Sequence, residues 1–194
     1  MKLDMEKAYD RLEWDFIEKC LQELGFHPHW IKWVMECISS VSFSLLINEV
    51  SHGFLKPSWG IHQGDPLSPY IFILCMEVLS SFLVRASSSV KSGIGIQLCP
   101  QSFKMPCLLF ADDCLLFCKA NQQTCVALKI LLDDFCTLSG QLVNFNKSVL
   151  TFSKNISSAQ KHAVMGDFNI PQNQSLGSYL GCPVFQGRPA RTTF

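Results

Sequence analysis

The sequence carries no excess of charge of either sign. Sixteen lysines and arginines balance sixteen aspartates and glutamates, so the formal net charge is zero at pH 7. Proteins that hold nucleic acid usually contact its phosphates through a basic surface, and no basic run of the necessary length occurs in this chain. Composition alone therefore does not indicate a nucleic-acid-binding protein, and any such function has to be argued from local motifs.

A signal peptide and a comfortable membrane-spanning segment are also missing. Charged residues interrupt the N-terminal segment at Lys2, Asp4, Glu6 and Lys7. The apolar stretch from Tyr70 to Val84 is short for a bilayer and contains Glu77. We expect this stretch to form a buried core helix. We also expect an intracellular protein of the nucleus or cytoplasm that is not secreted and has no membrane partner.

Ten cysteines are present, but no two of them have Cys-x-x-Cys spacing. Several lie within apolar segments, which favours buried free thiols in a reducing compartment over a disulfide framework. A zinc site is disfavoured for the same reason. The close histidines His27 and His29 flank a proline in a predicted turn, which favours a surface loop. With 48% hydrophobic residues, the 194-residue chain can form one compact domain with a core, or a domain with an appendage.

Two apolar runs meet at a pair of acids. Leu108 to Ala111 and Cys114 to Phe117 are each long enough for a buried strand, and Asp112 and Asp113 stand between them. Carboxylates beside so much apolar surface are costly unless a cation accompanies them. The pattern therefore indicates a metal site at the tip of a hairpin. On these residues alone, a solvated turn is the better interpretation, since aspartate is common in turns.

A second acidic segment opens the chain. Asp4 ends a very short apolar lead, and Ala8 and Tyr9 then lead into a predicted helix. An aspartate at the end of a strand points its carboxylate out from the edge of the sheet. The alternative is that Asp4 or Asp10 only complements the dipole of the following helix. That alternative is reasonable for Asp10 and weaker for Asp4.

A third segment runs from Gly60 to Pro69 and reads Gly-Ile-His-Gln-Gly-Asp-Pro-Leu-Ser-Pro. Its two glycines free the backbone for close approach to a ligand. Asp65 is placed to cap a helix that has Pro66 in its first turn. An ordinary loop that leads into a core helix explains the helical part equally well. The string from Gln63 onward is far less common by chance.

Taken together, these segments resemble the reverse transcriptase of a non-LTR, LINE-type retrotransposon, and plant elements of this kind are the nearest resemblance. The matching motifs run from Leu3 to Asp10, from Gln63 to Pro69 and from Phe110 to Asp113. The resemblance continues through Ser139 to Ser148 and Tyr179 to Gly181, so it covers nearly the whole chain. Each motif is moderately specific, whereas their order and spacing are highly specific.

The resemblance implies an RNA-directed DNA polymerase that joins a dNTP to the 3′-hydroxyl of a DNA primer on an RNA template. Asp4, Asp112 and Asp113 would be the metal-binding residues: Asp4 and Asp112 would hold two Mg²⁺ ions, with Asp113 beside them in a supporting role, and Mn²⁺ can substitute. Magnesium prefers hard oxygen ligands, and two metals can stabilise the attacking and the leaving oxygens. Lys147 would lie near the leaving pyrophosphate, where it supplies positive charge or a proton. Without the resemblance, Lys147 is better interpreted as a solvated surface lysine.

The same resemblance implies a nucleotide pocket and a primer contact. Tyr9 would lie under the sugar of the incoming nucleotide and exclude a 2′-hydroxyl, with Gln63, Gly64 and Phe110 in the same pocket. Leu180 and Gly181 would approach the primer strand. The alternative for Tyr9 is a core aromatic on a helix face, and both interpretations can hold at once.

The residue pattern alone predicts an α+β protein with helices on one side of a sheet. The predicted helices are Trp14–Leu24, Trp30–Ile38, Pro66–Ala86, Thr124–Leu138 and Ala159–Met165. Hairpins are expected at the acid pair and around Asn48-Glu49, between Ser42–Ile47 and Gly53–Trp59, with a further strand at Val149–Phe152. The resemblance implies a reverse-transcriptase palm, an antiparallel sheet of ferredoxin-like topology with helices packed on one face.

The resemblance also places a fingers region before the first aspartate motif and a thumb after the last motif. We expect residues 1–170 to be a palm-like domain without fingers, and residues 171–194 to be the incomplete start of the thumb region, with a flexible boundary at Pro171 to Ser178. Two hypotheses follow. In the first, the chain is a polymerase palm that is inactive alone because the regions that hold and position the substrates are incomplete. In the second, it is a non-catalytic remnant with a structural or interaction role. Uncovered apolar surface would favour self-association in either case.

Overall fold

The computed structural model describes residues 1–89, 92–170 and 177–184, which form an α+β fold. The helices are α1 (Trp14–Glu23), α2 (Pro28–Ser39), α3 (Ser68–Ser87), α4 (Gln122–Ser139) and α5 (Ser158–Phe168). The strands are β1 (Lys2–Leu3), β2 (Phe43–Ile47), β3 (Val50–Leu55), β4 (Ile96–Gln97), β5 (Lys104–Met105), β6 (Cys107–Phe110), β7 (Asp113–Leu116), β8 (Ser178–Tyr179) and β9 (Cys182–Pro183).

Three strands that are distant in sequence form the central antiparallel sheet, in the order β1-β7-β6. Leu3 pairs with Cys114, and Cys107 pairs with Leu116. On the free side of β1, isolated antiparallel bridges join Lys2 to Val149 and Met5 to Val143. The sequence pattern predicts a strand at Val149–Phe152, which is wrong, because Val149 and Leu150 form isolated bridges and no strand.

The two faces of the sheet have different environments, as expected from the two-residue period of a strand. Leu3, Cys114 and Leu116 point to the helices and belong to the hydrophobic core. Lys2 and Asp113 alternate with them and therefore lie on the opposite face. The acidic motif thus borders a sheet whose helical side is fully packed.

Helix α3 is the central core helix, as its apolar composition predicts. Within the described residues it is the one helix long and apolar enough to cross a membrane, by length and composition alone. Eight of its residues are buried, and it packs against α1, α4 and β6. It begins at Ser68 with Pro69 in its first turn, so the prediction of a start at Pro66 is wrong. The Asp65 carboxylate instead accepts the Leu67 N–H at 2.7 Å, which forms a turn just before the helix.

The other helices follow their local signals. In α4, the Asn121 side chain accepts the Thr124 N–H, and Gly140 ends the helix with φ 76°. Helix α5 begins with a capping box formed by Ser157 and Gln160. His27 and Pro28 do not form the expected loop, because His27 is the N-terminal cap of α2 and Pro28 its first residue. Proline is favoured there because its missing N–H would have no helical partner.

The hairpin of β2 and β3 forms around Asn48-Glu49, as predicted, and both turn residues have positive φ, 50° and 67°. The second strand begins at Val50, earlier than the predicted Gly53. Every residue of both strands is exposed, including Leu46 and Phe54. Within the described parts of the chain, the two strands pair only with each other.

All ten cysteines are free thiols, in agreement with the prediction from their spacing. Four of them are buried: Cys20, Cys75, Cys114 and Cys125. Because the buried thiols pack as small apolar groups, they contribute to the core without crosslinks.

The predicted flexible boundary at Pro171 to Ser178 lies outside the described residues except for Gly177 and Ser178.

Candidate active site at the acidic hairpin

The hairpin between β6 and β7 presents the two adjacent acids in different settings. Phe110 pairs with Asp113, so Ala111 and Asp112 form a two-residue turn, and Ala111 has φ 50°. Asp112 is exposed at this turn, whereas Asp113 is the first residue of β7 and partly buried. The turn therefore directs two neighbouring carboxylates to different surroundings.

Asp4 reaches the same end of the sheet because it directly follows β1. The register that pairs Leu3 with Cys114, extended by one residue, places Asp4 opposite Asp113. The backbone of Asp4 is fixed by the 144–148 segment: its N–H donates to Ser148 Oγ at 3.1 Å, and its carbonyl accepts the Asn144 N–H at 2.8 Å. The sheet thus gathers the two predicted acidic motifs at one rim, across 108 positions of sequence.

Asp113 is engaged by a cation of the protein itself. Lys2 Nζ lies 3.4 Å from Asp113 Oδ1, and the two side chains are 29% and 38% exposed. Among the described residues, no three histidine, cysteine, aspartate or glutamate side chains form a cluster that could hold a metal ion. The acids at this rim nevertheless provide hard oxygen donors, which is the chemistry that Mg²⁺ requires. Asp4 and Asp112 therefore fit a divalent cation by donor type.

A cavity of about 430 Å³ adjoins the hairpin and joins residues from all three motifs. Asp112 lies in its wall with Tyr9 from the first motif and Gln63 and Gly64 from the second. The remaining lining residues are Met5, Lys7, Ala8 and Pro69. The structure therefore brings together four of the residues predicted to bind nucleotide or metal.

Tyr9 both packs in the core and faces this cavity. Its ring stacks on Phe72 of α3, with ring centroids 4.8 Å apart and an angle of 12° between the planes. Its carbonyl accepts the Ile61 N–H at 2.9 Å, which fixes the first motif against the second. Burial, and then the negative charge of Asp112, raise the pKa of the Tyr9 phenol above its ordinary value of 10.0. The phenol is thus uncharged at neutral pH and close to Asp112.

Gly60 allows the segment before Gln63 to approach the first motif closely. Its N–H donates to the Leu12 carbonyl at 2.7 Å, and its carbonyl accepts the Trp14 indole N–H at 2.8 Å. Gly60 has φ 81°, and a Cβ atom there would lie 2.6 Å from the Asp10 carbonyl oxygen. Glycine is therefore required by both the backbone conformation and the available space.

Gln141 supports the site, and the residue pattern gave no reason to select it. It is 2% exposed, and its Nε2 donates to the Ala8 carbonyl at 2.7 Å, which supports the segment that carries Tyr9. Ser148 supports Asp4 in a similar way, because its Oγ accepts the Asp4 N–H. The signal that could have identified both is their position within the last long motif, Ser139 to Ser148.

Two predicted residues lie apart from the cavity. Lys147 is exposed, and its backbone N–H donates to Asn144 Oδ1 at 3.2 Å, in the loop that holds Asp4. Phe110 is 61% exposed beside the acidic turn. Neither side chain lines the cavity around Tyr9 and Asp112. The structure therefore places both near the rim without assigning them a contact in the pocket.

The short hairpin of β8 and β9 carries the residues predicted to contact the primer. Leu180 and Gly181 form its two-residue turn, with φ 51° and 77°, and Tyr179 pairs with Cys182. Burial, and then the charge of Asp113, raise the pKa of the Tyr179 phenol. The charge of Asp113 therefore acts on the hairpin that carries the predicted primer-contacting residues Leu180 and Gly181. Residue patterning did not indicate a role for Tyr179 itself.

The chain is similar in sequence to several known proteins. A family model described as reverse transcriptase (RNA-dependent DNA polymerase) matches residues 1–184. An uncharacterized mitochondrial protein of Arabidopsis thaliana is 48% identical over 68 residues, which cover 35% of this chain and 55% of that protein. The chain therefore spans about half the length of this plant relative.

Two insect relatives match over longer segments. The retrovirus-related Pol polyprotein from type-2 retrotransposable element R2DM of Drosophila melanogaster is 30% identical over 148 residues, or 75% of this chain and 13% of the polyprotein. The retrovirus-related Pol polyprotein from type-1 retrotransposable element R2 of Popillia japonica is 30% identical over 150 residues, or 77% of this chain and 20% of the polyprotein. The chain spans a fifth or less of each polyprotein.

Proposed function

Because this chain belongs to the reverse transcriptase (RNA-dependent DNA polymerase) family, we propose that it is the nucleotidyl-transfer centre of an RNA-directed DNA polymerase. Its substrates are a dNTP, an RNA template and a DNA primer. The observation that carries this proposal is the shared cavity of about 430 Å³, whose wall contains Tyr9, Gln63 and Asp112 from three separate segments. If the three motifs had only structural roles, there would be no reason for all of them to line the same cavity.

We propose that the sheet is a palm of ferredoxin-like topology. The chain passes from β1 through helices to β6, turns back in β7, and returns through α4 to the bridge at Val149. The resulting spatial order is Val149, β1, β7 and β6, with antiparallel neighbours throughout. This connectivity supports a palm over residues 1–170, with residues 171–194 leading toward a thumb.

Asp4 and Asp112 are the proposed Mg²⁺ ligands, with Asp113 in a supporting position. When bound, two divalent cations would activate the primer hydroxyl and neutralise charge on the phosphates. The protein holds Asp4 through hydrogen bonds to its backbone and Asp112 through the tight hairpin turn. Such fixed donors favour binding because little order remains to be imposed when the ligand arrives.

Tyr9 is proposed to select the sugar. Its ring cannot shift easily because it is stacked on Phe72, so a 2′-hydroxyl on the incoming nucleotide would collide with a stiff wall. Gln63 and Gly64 line the same cavity. Gly64 has φ 95° and no atoms within 4 Å of an added Cβ, which leaves open space for a ligand.

We propose that the remaining predicted residues act from the rim. Phe110 borders the nucleotide pocket, Leu180 and Gly181 face the primer, and Lys147 faces the leaving pyrophosphate. The exposure of Phe110, Leu180 and Lys147 supports these positions, since each is accessible to a large substrate. The free thiols are consistent with an intracellular protein of the nucleus or cytoplasm.

We further propose that the isolated 194-residue chain turns over poorly or not at all. Its net charge is zero, so it offers little electrostatic attraction for a primer–template duplex. A non-catalytic remnant with a structural or interaction role is the second candidate, and the zero net charge favours it. The two candidates differ in whether substrates bind at the cavity and whether turnover follows.

Primer extension separates the two candidates. The chain would be supplied with poly-rA, oligo-dT primer, dTTP and Mg²⁺, beside an Asp112→Asn/Asp113→Asn variant and an Asp15→Asn variant of the exposed face of α1. Incorporation that only the hairpin variant abolishes supports a polymerase. Equal signals from all three chains leave turnover unsupported and favour the remnant.

Nucleotide binding tests the cavity without turnover. A fluorescent dTTP analogue should bind the chain in the presence of Mg²⁺, and Asp112→Asn should weaken that binding by about tenfold or more, as expected for loss of a charged ligand. Asp15→Asn should leave the Kd unchanged. Binding that is equally tight in both variants would show that the analogue binds elsewhere and would contradict the proposed site.

A further inference from the structure

Lys2 has a backbone fixed from both sides, which determines where its side chain can reach. It pairs with Leu115 of β7 on one side. On the other side its N–H donates to the Val149 carbonyl, and its carbonyl accepts the Val149 N–H, both at 2.8 Å. The fixed backbone of Lys2 therefore limits which part of the sheet surface its ammonium group can reach.

The place it reaches is Asp113. In an antiparallel pair, Lys2 and Leu115 are directly opposite, and Asp113 lies two residues along on the same face, within reach of a long side chain. The observed distance from Lys2 Nζ to Asp113 Oδ1 is 3.4 Å, and both side chains are more than half buried. Partial burial strengthens such a pair relative to a fully exposed one.

We propose that Lys2 is a positioning residue that neutralises Asp113 and keeps its carboxylate from coordinating the metal, so that Asp4 and Asp112 alone bind it. This inference rests on the proposed function and refines it. A magnesium site needs only one or two carboxylates when substrate phosphates supply further oxygens. In this arrangement Asp112 binds the metal, whereas its neighbour Asp113 pairs with Lys2 on the sheet.

Metal binding in a double-mutant cycle tests the inference. Mn²⁺ serves as the probe, and the free ion is measured by electron paramagnetic resonance with the full chain. Asp113→Asn alone should weaken binding by no more than about threefold, because it leaves the Lys2 charge unpaired but removes no metal ligand. Lys2→Met should tighten binding by roughly fivefold, because a nearby positive charge is lost and Asp113 becomes available. Asp113→Asn in the Lys2→Met background should remove most of that gain.

Two further variants separate the ion pair from general electrostatics. Lys7 is exposed and lines the cavity, so Lys7→Met removes a nearby positive charge without touching the pair. Its effect should add to that of Asp113→Asn, whereas the effect of Lys2→Met should not. Lys2→Arg should restore wild-type binding. An additive cycle at Lys2, or an Asp113→Asn effect as large as that of Asp112→Asn, would overturn the inference.

Failure of the inference is distinguishable from failure of the proposed function. If wild-type chain does not bind Mn²⁺, or if Asp112→Asn has no effect, the metal site of the proposed function fails. The pair is then tested by urea unfolding of the same Lys2 and Asp113 variants. A coupling between them supports the ion pair from which the inference is argued, and its absence overturns the inference.

Discussion

Tyr9 shows how a single residue can serve the core and the site together. Its stacking on Phe72 belongs to the packing of α3, while its phenol belongs to the cavity and lies close to Asp112. The alternatives that the sequence leaves open for this residue are therefore both realised as contacts. Its proposed role in sugar selection depends on this rigidity, because a mobile ring would yield to a 2′-hydroxyl.

Replacement of Tyr9 by alanine should relax the choice of sugar. We expect the ratio of the Kd values for ATP and dATP to fall by roughly tenfold, because the obstructing ring is lost. Fluorescence competition against a labelled dNTP would measure this ratio. Tyr9→Phe keeps the ring and should keep the ratio, as should Tyr70→Ala at an exposed tyrosine of α3. A ratio that is unchanged in Tyr9→Ala would contradict the assignment.

The buried thiol of Cys114 should make the free energy of unfolding fall at alkaline pH. Burial raises the pKa of its thiol to about 12, from an ordinary value of 9.0. The folded chain therefore retains the proton when the unfolded chain loses it. This contribution to stability is complete below pH 9 and falls as pH rises from 9 toward 12, by up to about 1.4 kcal/mol per pH unit.

Urea unfolding between pH 7 and 11 would test this dependence. In Cys114→Val, the decline in the free energy of unfolding above pH 9 should be shallower than in the wild type. Other thiols and tyrosines titrate in the same range, so the comparison between the two chains carries the prediction. Parallel pH profiles would show that Cys114 does not contribute.

At the scale of elements, the site depends on three close approaches to the segment between β1 and α1. Gly60 and Ile61 bond to its backbone on one side, and Gln141 bonds to Ala8 on another. The loop that ends in Ser148 fixes Asp4. These contacts come from two distant parts of the chain, the loop before α3 and the segment after α4, so the cavity depends on the packing of both against the sheet.

Gly60→Ala should destabilise the protein by about 2 kcal/mol or more, since it adds both left-handed strain and a clash with the Asp10 carbonyl. Gly64→Ala is the matched control: its φ is also positive, but an added Cβ meets no atom within 4 Å. The control should cost about 1 kcal/mol. Thermal or urea unfolding would compare them, and equal losses would show that the contact at Asp10 is unimportant.

At the scale of the whole molecule, the most unusual feature is the β2–β3 hairpin. Its strands expose several large apolar side chains, among them Leu46 at 74% and Phe54 at 83%. An isolated two-stranded hairpin is marginally stable in water, and its unpaired edges can join other strands. We therefore propose that this hairpin mediates the self-association that the sequence led us to expect.

Leu46→Lys/Phe54→Lys should shift the chain toward the monomer, because it replaces exposed apolar surface with charge. Sedimentation velocity over a range of concentrations would measure the change. Trp33→Lys is the matched control, since Trp33 is also a large exposed side chain, at 63%, but belongs to α2 and not to the hairpin. A similar shift in the control, or none in the hairpin variant, would exclude the hairpin as the contact.

The sequence by itself determined the family and the class of fold, because the motifs and their order carry that information locally. Apolar periodicity located the helices to within a few residues, and strands reverse at Asn48-Glu49 and at the acid pair as predicted. The turn at the acids is Ala111-Asp112, one residue earlier than the predicted Asp112-Asp113. It did not place Pro28 or Ser68 at helix starts, because several nearby residues offered comparable starting signals. Short-range rules therefore gave the elements and left their exact ends open.

Only the tertiary structure decided which side chains meet. The pairing of Lys2 with Asp113, the hydrogen bond from Gln141 to Ala8 and the hydrogen bond from Asp4 to Ser148 each join residues more than 100 positions apart. Such contacts depend on strand register and on how α3 and α4 pack against the sheet, which a local pattern does not encode. The sequence therefore named the acids, and packing assigned them different neighbours.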